Sequence, residues 1–176
     1  MSVFDKNQSQ RNAFERLLAK IPGFRGYLNK EWRRESDKIE RDAIAKAFDN
    51  SREPLRRTGR KLADTGGFDG MKVTARINDL ENLIEKIADR IRFADYGYSG
   101  FFDAVKVGEQ ELDRMYQFDL ALYEKAEELE KRCREVPVLA SDPEGLDAEI
   151  ELLSQLVRQL DRDYDLREKI VTGTGA

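Results

Sequence analysis

The chain has 176 residues, with 31 Lys and Arg against 35 Asp and Glu, a formal net charge of −4, a single cysteine and no histidine. Without histidine there is no Ser-His or Cys-His catalysis, no histidine metal site and no Glu-x-x-His di-iron pattern, and one thiol makes neither an internal disulfide nor a cysteine zinc cluster. Charged residues are 38% of the chain, well above the ~25% of an ordinary domain, which points to long helices facing solvent rather than to a coat for nucleic acid.

The opening MSVFDKNQSQRN has no apolar signal-type core, and no run approaches the ~18 apolar residues of a membrane span, so the expected location is the cytoplasm or the periphery of a membrane. A short first helix follows, with Phe14, Leu17, Leu18 and Ile21 on one face, and it ends at Pro22 and Gly23. The second helix starts near Leu28, with Trp32, Ile39, Ala43, Ala47 and Phe48 on its inner side. Its early part, Lys30 to Asp42, carries charges of both signs at i,i+3 and i,i+4 and reads as a solvated face, the alternative being buried ion pairs against another helix. Asn50, Ser51 and Pro54 then predict a break, with Ser51 as the N-cap of a further piece, because proline cannot donate a backbone bond.

Segment 71 to 93 shows the clearest period, Val73, Ile77, Leu80, Ile84, Ile87 and Ile91 at 4-3-4-3-4 spacing. That is the seam of a coiled-coil-like helix. Segment 109 to 135 offers Leu112, Met115, Leu122, Tyr123, Ala126, Leu129 and Cys133, with Asp119 on or beside the stripe. A loop at 137 to 146 separates it from a last helix over about 147 to 170, whose Ile150, Leu153, Val157, Leu160 and Tyr164 repeat the seam. The tail 171 to 176 is small and polar and reads as disordered, and nothing alternates like a strand. The fold class expected is therefore all-α, a single antiparallel helical bundle domain over 1–170.

Three connections share one form: GFRGY at 23–27, GFDGM at 67–71 and GYSGF at 97–101, each glycine, aromatic, polar, glycine, large apolar. All three read as helix-ending turns, with glycine at C′ and an apolar residue packing back. Short connections make consecutive helices antiparallel, which sends the first and third turns to the same end of the bundle. Phe24, Arg25, Tyr27, Tyr96, Tyr98, Phe101 and Phe102 then form an aromatic end, either a plug of the core or an interaction surface. The one strong basic cluster is Arg52, Arg56, Arg57, Arg60 and Lys61. It reads as a solvated face, or as a contact for anionic lipid or nucleic acid.

No pair of carboxylates is singled out by spacing, no glycine string follows a strand, and Cys133 sits on an apolar stripe as an inert thiol. Neither a catalytic residue nor a metal or cofactor site is expected. The strings IPGFRGYLNKEWRRESDK and ADRIRFADYGYSGFFDAVKV resemble segments of a group of uncharacterised bacterial helical proteins, over about residues 15 to 125. The resemblance implies a small bacterial cytosolic protein and brings no activity with it. The expected function is a non-enzymatic scaffold or adaptor working by protein–protein association, above all with itself, and the alternative is a peripheral binder of anionic lipid or nucleic acid through 52–61.

Overall fold

A computed structural model describes residues 13–65, 67–94 and 107–172. Helix α1 covers 13–20, α2 Lys30–Thr65, α3 Gly67–Arg92, α4 Glu109–Glu135 and α5 Pro143–Thr172, with a 3-10 segment at Val136–Ser141 before α5. No strand occurs among the described residues, and the chain is an all-α helical bundle.

Ion pairs between helices give its layout. Arg52 pairs with Glu85 at 2.9 Å while Arg92 pairs with Asp49, so residue numbers rise in α2 as they fall in α3. Arg132 with Glu149 and Lys125 with Asp163 set α4 and α5 antiparallel in the same way. Across the two hairpins the numbers rise together. Arg76 meets Asp147 and Glu151, and Arg90 meets Asp161, Asp165 and Glu168, so α3 and α5 are parallel neighbours. Asn50 bonds Glu130 on the parallel pair α2 and α4. Two hairpins thus dock with α2 beside α4 and α3 beside α5, leaving α2/α5 and α3/α4 as diagonals.

The seams of α3 and α5 fill the centre: Ile77, Leu80, Ile84, Ile87 and Ile91 face Ile150, Leu153, Val157, Leu160 and Tyr164 in one buried cluster. Each such side chain contributes roughly 1.5–3 kcal/mol on removal from water.

Several expectations are corrected. Helix α2 does not break at Pro54 but continues for 36 residues with the proline inside. Only one backbone donor is lost there, and hydroxyls stitch the flanking turns, Ser51 Oγ donating to Ala47 O at 2.8 Å and Thr58 Oγ1 to Pro54 O at 2.9 Å. Ser51 is therefore a buried mid-helix residue and not an N-cap. Packing of fully buried Leu55 and Phe48 on either side outweighs the local cost of proline.

GFDGM is not a turn like GFRGY. Gly67 alone has positive φ, +58°, and Phe68 to Met71 already belong to α3. Gly70 is buried because a Cβ there would stand 2.9 Å from the Leu62 carbonyl oxygen, so a small residue is needed where α2 and α3 cross. The segment read as a loop at 137–146 contains the 3-10 turn and the start of α5. Asp142 caps that helix, accepting from the Gly145 N–H at 3.1 Å, and Pro143 takes the first helical position. At its far end α5 runs to Thr172, two residues beyond the expected stop, and 173–176 lie outside the described residues.

Candidate functional site

Following the apolar seam of α2 backwards from Leu55, Phe48 and Ile44 in steps of three or four leads to Glu40, Asp37 and Arg33. All three are buried. The same happens on α4, where Asp119 holds a seam position between Met115 and Leu122, and on α5, where Arg167 follows Leu160 and Tyr164. The Lys30–Asp42 segment is thus not a purely solvated face: Arg33, Asp37, Glu40 and Arg41 turn inward, and Trp32, expected inside, is 40% exposed.

These charges converge on Arg167. Its Nε donates to Asp119 Oδ1 at 2.7 Å, Nη1 lies 2.8 Å from Asp37 Oδ1, and Nη2 lies 3.1 Å from Glu40 Oε2. Tyr27 donates its hydroxyl to Asp119 Oδ2 and accepts from Arg167 Nη2 at 3.3 Å. Arg41 pairs with Asp37 at 2.9 Å and reaches the end of α3, donating to the carbonyls of Ile91 at 3.2 Å and Arg92 at 2.9 Å. It thereby satisfies acceptors that a helix C-terminus leaves open. Arg33 donates to Tyr27 O at 2.7 Å.

Asp37, Glu40, Asp119 and Arg167 are fully buried, so each would be costly alone and tolerable only as a set. Among its three carboxylates Arg167 is aligned for a hydrogen bond with Asp119; the contacts to Asp37 and Glu40 are off-axis ion pairs, and Glu40 Oε1 has no hydrogen-bond partner. Burial pushes the Glu40 carboxyl well above its ordinary range against the pull of Arg167. Burial likewise raises Asp119, with Arg167 opposing. Burial also works against the Arg167 charge, but the three carboxylates reverse the effect and hold it firmly cationic.

On the solvent side of this centre lies an aromatic layer. Tyr27 stacks on Tyr116 with ring centroids 5.5 Å apart, Phe24 meets Tyr27 edge-on at 5.5 Å, and Phe14 lies 5.0 Å from Tyr116. Tyr116 Oη accepts from the Tyr27 N–H at 2.9 Å. Gly26, at φ +81°, permits this closeness, since a Cβ would sit 2.6 Å from the Phe14 ring and 2.7 Å from Tyr116 Oη. Beside the layer a groove of about 510 Å³ opens, lined by Phe14 of α1, by Arg25, Leu28, Asn29 and Trp32 from the connection into α2 and its first turn, and by Glu109, Leu112, Asp113 and Tyr116 of α4. Leu28 stands 78% exposed on its lip.

Of the residues assigned to the aromatic end, Phe24 and Tyr27 are core, Arg25 is exposed on the groove, and Tyr96, Tyr98, Phe101 and Phe102 lie outside the described residues. The basic cluster divides. Arg52 and Arg56 lean on Glu81 and Glu85 of α3, while Arg57, Arg60 and Lys61 are exposed on α2. Cys133 is buried, and burial pushes its thiol up to about 12, as suits an inert group. No described helix is long and apolar enough to cross a membrane. Comparison with protein-family models, with curated proteins and with solved structures finds no match to this chain.

Proposed function

We propose that the chain is a non-enzymatic helical scaffold that works by protein–protein association, chiefly with itself, through its aromatic end. The observation that carries this is the groove: an apolar cleft beside Leu28 and Trp32, two large side chains left in water at 78% and 40% exposure. Grouped exposed apolar surface of this kind marks an interaction site more often than scattered residues do. The coiled-coil-like seams of α3 and α5, the other surface suited to pairing, are spent inside the bundle. The charged centre supports a structural rather than catalytic role, because its carboxylates and Arg167 are sealed from solvent and hold α2, α4 and α5 together.

Light scattering over a concentration series tests the proposal. The expected result is a mass that rises with concentration, accompanied by a shift of fluorescence to shorter wavelength from Trp32, the single tryptophan. A strict monomer over the whole series overturns it.

A further inference from the structure

We infer that the groove receives a second copy of this chain in a two-fold arrangement, the exposed Leu28 of each copy entering the cleft of the other. The inference rests on the proposed self-association and says where and how it occurs. A two-fold contact must be self-complementary, the same patch meeting itself after rotation. The patch has that property in shape, because a projecting apolar side chain, Leu28, sits on the rim of an apolar cleft. It has it in charge as well. The base Arg25 comes from the connection into α2 and the acids Glu109 and Asp113 from α4, so a two-fold rotation that sets the first element of each copy against the second of the other brings Arg25 of each copy over the acids of its partner.

In the single chain the Arg25 guanidinium lies 3.6 Å from Glu35, with both side chains more than half exposed, and 5.6 Å from the centre of the half-exposed Trp32 ring, surface contacts weak enough to exchange. Glu109 is exposed and Asp113 half-buried, and the contact Asp113 makes is with Gln117 at 3.1 Å on its own helix. A cleft of this size takes one or two large side chains and does not by itself reach the area of a permanent dimer, so the association is reversible.

A charge swap tests the arrangement. One variant carries Arg25→Glu, the other Glu109→Lys with Asp113→Lys. Each alone sets like charges face to face and is expected to need at least about tenfold more protein to associate, the equivalent of ~1.4 kcal/mol. Mixed in equal amounts they present opposite charges at both contacts, and association is expected to return. Leu28→Glu, at a side chain outside the core, should abolish self-association with an unchanged helical circular dichroism spectrum, and it serves should either charge variant fail to fold. Self-association unaffected by Leu28→Glu overturns the inference while leaving the scaffold reading standing. Monomeric single variants that stay monomeric on mixing also overturn it. A wild-type chain that is monomeric throughout removes both.

Discussion

Arg167 is the residue on which three helices depend, and the sign of each neighbour dictates what its loss does. Arg167→Met leaves Asp37, Glu40 and Asp119 buried without their common cation, and removing one partner of a buried ion set costs about 3–5 kcal/mol. The denaturant midpoint should fall accordingly, and a shift of only a few tenths would show that the centre is wet. Tyr27→Phe takes away the hydroxyl bonded to Asp119 and should cost roughly 1.5–3 kcal/mol in the same measurement. Glu40 gives a pH signature. Its folded-state carboxyl is raised, chiefly by burial, so its contribution is fully present below the unfolded carboxyl value of about 4.3 and is lost as pH rises through the folded value. Urea titrations of wild type and Glu40→Gln at several pH values should therefore diverge, the variant gaining relative stability as pH rises. Parallel curves would show that Glu40 is ionised in the fold. This centre is only partly legible in the sequence: Asp119 stands out on its stripe and buried ion pairs are the second reading of Lys30–Asp42, but apolar period alone does not pick Asp37, Glu40 and Arg167 as its partners. The signal was nonetheless there: Glu40, Asp37 and Asp119 keep seam spacing on α2 and α4, and Arg167 is the next step after Tyr164.

At the scale of the helix, what reads well is what depends on side-chain period alone. The seams of α3 and α5 lie where the 4-3 spacing puts them, and every residue of both is buried. What reads badly is backbone punctuation. Pro54 announces a break that packing overrides, and Asp142 with Pro143 looks like loop but starts a helix. GFRGY and GFDGM share a pattern, yet two positive-φ glycines make the first a loop and one makes the second a tight junction. Local composition fixes which conformations are allowed, and tertiary contact decides among them. Gly70→Ala is the corresponding test. Its Cβ would press on a backbone oxygen that cannot swing away, so α2 and α3 must separate slightly, at a cost of about 1–3 kcal/mol read as a lower thermal midpoint. An unchanged midpoint would mean the helices cross with room to spare.

For the molecule as a whole, the all-α bundle follows from period and connection length, while the arrangement of its helices does not. Alternating direction holds from α2 to α5 but not at the first connection, because α1 pairs Arg16 with Glu124 and Lys20 with Glu127 and so runs parallel to α4, as α2 does. The parallel contacts of α2 with α4 and α3 with α5 follow from α3 and α4, consecutive in the chain, standing on a diagonal. No spacing rule in the sequence distinguishes that layout from one with α3 beside α4. The ionic centre does distinguish it: Asp37 and Glu40 come from one hairpin, and Asp119 and Arg167 from the other. Apolar seams slide, since a shift by one turn, about 5.4 Å, still sets aliphatic against aliphatic. A guanidinium does not slide, because one turn away it would be buried against Leu or Ile with its carboxylates stranded. The charges thus act as a dowel between two pre-formed pieces, fixing where they stop. Replacing Asp37, Glu40, Asp119 and Arg167 together by leucine is expected to leave stability equal or higher while broadening the amide resonances of α5, the mark of several registers in exchange.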